Sequence, residues 1–269
     1  IGDEAEVNTI SQVFHEMAST LNEKGSLEIS DVETLLTFNS SAMSSGDSKS
    51  KYIIHYGRKG SIAARTKGQE RYIEIARKND IVFSTGPAGT GKTFLAVAFA
   101  VAALQNREVD KIILCRPAVE AGESLGFLPG DLKEKIDPYL RPLYDALGEI
   151  LDLDKLKPLL FNNTIEIVPL AYMRGRTLNN AFMILDEAQN ASSIQMKMFL
   201  TRLGLNSKTI ITGDVTQTDL PKKIESGLIQ VLNLLKDIDG VGFCNLSSAD
   251  IVRHRLVKDI IQAYDNKKN

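Results

Sequence analysis

From residue 69 onward the chain alternates short apolar runs with longer stretches in which apolar residues recur at helical spacing. The runs predict strands at Ile81–Thr85, Lys111–Arg116, Thr164–Val168, Phe182–Asp186, Thr209–Thr212 and Val241–Asn245. Helical patterns lie between most of them. Strands of continuous apolar character, spaced by helices, predict a mainly parallel sheet covered on both faces. The fold class read from this pattern is α/β, preceded by a small α+β fragment.

The residues ahead of the sheet have a different grain. Val13, Phe14, Met17 and Leu21 recur at helical spacing, and Gly25 ends that helix. Leu27 and Ile29 alternate with polar neighbours as a short strand does. Ser30 then caps a second helix, with Glu33 completing a capping box and Val32, Leu35 and Leu36 as its apolar face. A unit of this size buries too little to stand alone. Residues 39–50 contain six serines and almost nothing apolar, which marks a flexible linker and a domain boundary. Next, two short runs flank Gly57-Arg58-Lys59-Gly60, predicting a β-hairpin with a basic tip. Between Gly126 and Leu151, Pro129, Pro138 and Pro142 interrupt a helical pattern, and an insertion that packs on a neighbour or projects toward substrate is expected.

Composition excludes several classes. The 269 residues are 43% apolar and 25% charged, ordinary globular usage rather than disordered or fibrous. The longest apolar run, Phe94–Leu104, would cover roughly 16 Å as a helix, against about 30 Å of hydrocarbon, so no membrane partner is expected. Cys115 and Cys244 form no disulfide framework and show no metal-ligand spacing, which suits a reducing compartment. The chain opens with Ile1 rather than Met, so some N-terminal sequence is expected to be missing, and nothing argues for a targeting peptide. The net charge of −2 hides an asymmetry: residues 1–48 hold nine acids and one base, residues 49–78 nine bases and two acids. A local basic strip that touches phosphates is compatible with that balance.

The chemistry centres on Gly86-Pro87-Ala88-Gly89-Thr90-Gly91-Lys92-Thr93, which fits G-x-x-x-x-G-K-[ST]. An apolar strand leads in and an alanine-rich helix leads out, as a phosphate loop requires. The glycines let backbone N–H groups wrap a β-phosphate, and the helix N-terminus adds its positive end. Lys92 is placed to reach the β- and γ-phosphates and the Thr93 hydroxyl to ligate Mg²⁺. Asp186, at the end of an apolar strand, supplies the second metal contact. Glu187 beside it can polarise a water for attack on the γ-phosphate, which favours hydrolysis over transfer to a small molecule. Thr212, Asp214 and Gln217 end another strand and are candidate sensors of nucleotide state; a plain surface turn is the alternative. Gln69 and Tyr72 precede the first strand, where Gln69 could pair with adenine, favouring ATP, or lie on a solvated helix face. No [NT]-K-x-D for guanine is present.

These residues resemble the bacterial PhoH-like ATPases. The match runs through Gly86–Thr93, then Leu114-Cys115-Arg116-Pro117-Ala118-Val119-Glu120-Ala121-Gly122-Glu123, Leu170–Leu178, Ile184–Asn190 and Thr212–Gln217. The resemblance implies a RecA-like P-loop core of the additional-strand class, related to superfamily 1 helicases. It implies a cytoplasmic ATPase with RNA work that forms a homo-oligomeric ring, a hexamer being one size considered. Family members carry a KH-like domain ahead of the ATPase. Residues 1–38 look like only its last part, without the GXXG clamp, and residues 51–269 are the ATPase domain with its N-terminal hairpin. Where the family has Val-Arg-His-Pro-Leu-Val, this chain has Val252-Arg253-His254-Arg255-Leu256-Val257.

Two functions compete most closely. One is an ATPase that couples hydrolysis to RNA through the basic segment 49–78, where Lys49, Lys51, Arg58, Lys59, Arg65 and Lys67 are interleaved with Tyr52 and Tyr56. Docking of that segment against acidic residues 1–48 explains the same charges. The other is a nucleotide-dependent scaffold or switch that hydrolyses slowly, in RNA metabolism or the phosphate-starvation response. A single RecA-like lobe leaves one side of the γ-phosphate open, so an arginine from a neighbour is expected. Arg253 and Arg255 are candidates, with Arg253 favoured because it matches the family pattern where Arg255 does not, and Arg174 and Arg176 are the rival pair.

Overall fold

The computed structural model describes residues 50–57, 60–117, 132–221 and 223–252, with single positions between 14 and 32. Side chains are described from residue 138 onward in the helix that starts at Leu132. The chain divides into two compact units, Ile1–Ala63 and Ala64–Asn269.

In the first unit residues 14, 17, 18, 20 and 21 are helical, and the helical stretch ends where expected. The Gly25 N–H donates to the Leu21 carbonyl at 2.9 Å, and Gly25 takes φ +73°, a left-handed cap open to a residue without Cβ. Phe14 and Leu21 face solvent, 64% and 48% exposed, rather than forming its apolar face. Ile29, expected in a strand, is helical instead and 79% exposed. Two alternating residues are too short a pattern to separate strand from helix. The hairpin is present: β1 (Ile53–Gly57) pairs antiparallel with β2 (Gly60–Ala63), Gly57 opposite Gly60. Its tip residues Arg58 and Lys59 lie outside the described residues, as do linker positions 39–49.

The second unit is built on six parallel strands. They are β3 (Ile81–Thr85), β4 (Lys111–Arg116), β5 (Ile165–Pro169), β6 (Ala181–Leu185), β7 (Lys208–Gly213) and β8 (Val241–Asn245). Their order is β5-β4-β6-β7-β3-β8, with every pairing parallel. β3, β4 and β8 start and end where the apolar runs do. All five residues of β6 are buried, as a strand covered on both faces requires.

Two helices matter for the site. The first is α1 (Lys67–Lys78), capped by the Thr66 hydroxyl, which accepts from the Gln69 N–H. The second is α2 (Lys92–Gln105), whose alanines 96, 98, 100 and 103 are buried and bring its backbone close to the sheet. The expected insertion turns out differently. Leu132–Ile150 is a single helix, α3, that runs through both Pro138 and Pro142 and lies on α2 and β5 of its own core. Leu140, Leu143, Leu147 and Ile150 make its buried stripe, while the two prolines face solvent. A helix tolerates proline best there, because water can take the freed carbonyls. Pro129 lies outside the described residues. Three shorter helices follow later in the chain, α4 (Leu153–Phe161), α5 (Ser193–Leu200) and α6 (Gly227–Leu234).

Candidate nucleotide-binding site

Sheet order places the chemistry. β7 lies between the loop strand β3 and the acid strand β6. Ser84 pairs across to Thr212, and Leu185 pairs with Ile211. Asp186, one residue past the end of β6, therefore sits beside Thr212, one strand away from the phosphate loop. The Thr212 hydroxyl donates to Asp186 Oδ1 at 2.7 Å, and the Thr93 hydroxyl donates to the same oxygen at 2.7 Å. Asp186 is 4% exposed, so these bonds compensate a carboxylate that would otherwise be costly to bury. A buried carboxylate oxygen touching a hydroxyl is a hard oxygen donor set, and it fits Mg²⁺.

The loop leaves β3 at Gly86, whose N–H donates to the Gly213 carbonyl at 3.1 Å. A Cβ at Gly86 would run into the Leu246 carbonyl oxygen, so the position admits only glycine without a shift. Gly91 caps α2 at φ +82°, and a Cβ there would stand 2.9 Å from Gln69 Nε2. No side chain caps α2, which leaves its first N–H groups free for an anion. Lys92 is 9% exposed and folds back, its ammonium donating to the Gly86 and Pro87 carbonyls at 2.7 and 2.9 Å. The loop is thus wrapped around a cation of its own. A cradle shaped to its lysine in this way fits a polyphosphate placed beside that charge.

Glu187 carries the strain of the site. Its backbone is left-handed at φ 52° and ψ 40°, which costs a non-glycine residue about 1–2 kcal/mol. Both carboxylate oxygens are engaged. Arg116 Nη2 reaches Oε1 at 2.9 Å, and Gln189 Nε2 donates to Oε2 at 2.6 Å. Gln189 Oε1 accepts from the Asp214 N–H at 3.0 Å, so one side-chain amide ties the acid strand's end to that of β7. Asp214 in turn accepts from Thr216 and from Gln217 Nε2 at 2.9 Å. Asp214 and Gln217 thus bond to each other in a turn whose residues 215–219 are exposed, while Thr212 bonds to Asp186 instead.

Gln69 and Tyr72 are placed differently from the expectation. Gln69 is 4% exposed, and its amide is bonded within the protein: Oε1 accepts from the Arg65 N–H at 2.8 Å and Nε2 donates to the Thr90 carbonyl at 3.0 Å. It braces the phosphate loop from α1. Tyr72 is fully buried with its hydroxyl 3.4 Å from the Lys92 carbonyl, and burial pushes that hydroxyl's pKa up. Behind the loop, Asp250 accepts from Thr66 Oγ1, the Gly68 N–H and the Ser247 N–H and hydroxyl. Burial alone would raise its carboxyl, but those donors outweigh it and the net direction is down. The Val252 N–H reaches back to the Gly89 carbonyl at 2.9 Å.

Of the candidate fingers, Arg176 is held by a bidentate pair with Glu166 on β5, both bonds 2.9 Å, and so is engaged within its own chain. Arg174 is exposed. Arg253 and Arg255 lie outside the described residues. Sequence reading passed over Arg116 and Gln189 as site residues. Arg116 stands at the end of β4, where a charged residue closing a buried strand was the available signal; Gln189 lies two positions past Glu187.

A parallel sheet with one strand between loop and acid, a glycine loop opening a buried helix, and a hydroxyl and carboxylate sharing a contact define a P-loop NTPase domain of RecA-like type. The family model for PhoH-like proteins matches residues 61–265, and the chain belongs to that family. It is 62% identical over 207 residues to a PhoH-like protein of Bacillus subtilis (strain 168), covering 77% of this chain and 65% of the relative. It is 45% identical over 205 residues to Protein PhoH of Escherichia coli (strain K12), covering 76% and 58%. The chain therefore spans only part of the curated relatives it matches. Among solved structures, a Sulfolobus solfataricus SWI2/SNF2 ATPase core in complex with dsDNA aligns at 16% identity and TM-score 0.36, over 56% of this chain and 32% of that one. The DnaC helicase loader aligns at 14% and TM-score 0.31, over 69% and 93%. Among the described residues no helix is long and apolar enough to cross a membrane.

Proposed function

We propose that the chain is a Mg²⁺-dependent ATPase whose hydrolysis is coupled to RNA binding or remodelling, acting as a cytoplasmic ring of identical subunits. The observation that carries the hydrolytic part is that Lys92, Thr93, Asp186 and Glu187 all follow the C-terminal ends of the interior strands β3 and β6, with Thr93 bonded to Asp186. Magnesium, when bound, would neutralise charge on the β- and γ-phosphates. Lys92 exchanges loop carbonyls for phosphate oxygens, Asp186 and Thr93 offer oxygen ligands, and Glu187 orients and polarises the attacking water. Lys51, whose ammonium stands 5.3 Å from the Tyr52 ring centre, supports the RNA part, because cations beside aromatic faces suit single strands. The open side of the γ-phosphate in a RecA-like lobe supports the ring, with Arg253 as the charge supplied across it. A nucleotide-dependent scaffold that hydrolyses slowly is the second reading, favoured by the two engaged oxygens of Glu187.

The test compares ATP hydrolysis by the wild type, Lys92→Ala and Glu187→Gln, with and without single-stranded RNA. Lys92→Ala loses tight nucleotide binding. Glu187→Gln keeps binding and slows turnover by about 10²–10⁴, the worth of a positioned base. RNA raises the wild-type rate. Normal turnover in Glu187→Gln refutes the assigned role, and a wild-type rate indifferent to RNA leaves the scaffold as the better account.

A further inference from the structure

The Arg116 guanidinium makes three contacts at once. Nη2 lies 2.9 Å from Glu187 Oε1, Nε lies 3.7 Å from Asp186 Oδ2, and Nη1 donates to the Tyr139 carbonyl on α3 at 2.8 Å. The side chain is 19% exposed and Glu187 40%, so this fork sits at the mouth of the site, partly shielded from water.

The contacts are not what a base poised for water needs. A carboxylate with one oxygen on a guanidinium and the other on an amide is less free to turn toward a water than a carboxylate facing solvent alone. Glu187 also pays for this pose in backbone strain, and the two bonds offset that cost. The third contact says where the fork is anchored. Pro142 has no N–H for the carbonyl four residues before it, that of Pro138, so the α3 ladder is weakened beside Tyr139. The Tyr139 carbonyl turns to Arg116 at that weakened turn.

We propose that Arg116 is a positioning residue that latches the Glu187 carboxylate away from catalysis, with the Tyr139 carbonyl on α3 as its anchor. Release of the fork frees Glu187 to take the attacking water, so displacement of α3 or withdrawal of Arg116 raises the hydrolysis rate. The inference rests on the ATPase reading above.

The experiment is steady-state ATP hydrolysis by the full chain carrying Arg116→Ala, Arg116→Lys, or Arg116→Ala together with Glu187→Gln. Arg116→Ala raises kcat about two- to fivefold, the shift that an ordinary partly exposed ion pair allows. KM for ATP stays within about twofold of wild type, since the fork touches neither Lys92 nor the loop. Arg116→Lys falls between, because a single ammonium lacks the planar fork that spans Glu187 and Tyr139. The double variant is as slow as Glu187→Gln alone, which shows that the gain runs through that carboxylate. A merely structural role lowers kcat and cannot give a gain. A folded Arg116→Ala chain with kcat at or below wild type overturns the latch. If Arg116→Ala fails to fold, Arg116→Lys decides: no gain in kcat overturns it equally. A wild-type chain that does not hydrolyse ATP refutes the parent reading, whereas hydrolysis without gain refutes the latch alone.

Discussion

Replacing Gln69 by Leu separates two roles that its position allows. Leu keeps the volume packed between α1 and the phosphate loop and removes both amide bonds. The Thr90 carbonyl and the Arg65 N–H each lose a partner, at 3.0 and 2.8 Å. Only the Thr90 bond belongs to the phosphate loop, and a bond of this kind is worth about 0.5–1.5 kcal/mol net to its order. Thr90 is fully buried, which puts its share toward the upper end. If the lost order must be restored on binding, nucleotide affinity falls by about 2- to 12-fold. A loop brace cannot tell one base from another, so ATP and GTP lose affinity by the same factor. An adenine contact predicts instead that only ATP suffers. Equilibrium titration with fluorescent ATP and GTP analogues, in Mg²⁺, reads both constants. A tenfold loss for ATP with GTP unchanged refutes the brace and restores the adenine role. Unchanged affinity for both refutes each of them.

Two further outcomes are expected. Asp250→Asn lowers thermal stability at neutral pH, because the carboxylate's four donors hold its folded pKa below the ordinary 3.8. A depressed folded value stabilises above the unfolded one and is lost as pH falls through it, so the gap in Tm between wild type and variant closes below about pH 4; a gap independent of pH down to 2 refutes the linkage. Arg253→Ala subunits are inactive alone, and mixed with Lys92→Ala subunits they regain part of the hydrolysis, since some interfaces then join an intact loop to an intact arginine. No regain in verified mixed oligomers counts against a charge supplied in trans.

Much of the fold was legible along the chain, for a physical reason. Parallel strands buried on both faces must be apolar throughout, so β3, β4 and β8 could be bounded to the residue from their runs alone. The phosphate loop was legible because backbone wrapping demands glycine at set spacings, and Gly91 at φ +82° meets that demand. Asp186 and Glu187 were legible as acids ending a buried strand. Where patterns were short or mixed, reading failed. Leu27 and Ile29 gave two alternations, and Ile29 is helical. Pro138 and Pro142 read as interruptions, yet α3 carries them on its wet face, where a lost ladder bond is cheapest.

What the tertiary structure alone decided is which side chains meet. Thr212 reaches Asp186 only because β7 inserts between β3 and β6, an order no local pattern encodes. Gln69 became a brace because α1 runs back over the loop, and Arg116 became a partner of Glu187 because β4 ends beside β6. Propensity and periodicity act between near neighbours along the chain. Hydrogen bonds and ion pairs act over about 3 Å in space, and strand order brings together residues 71 positions apart in one pair and 93 in another.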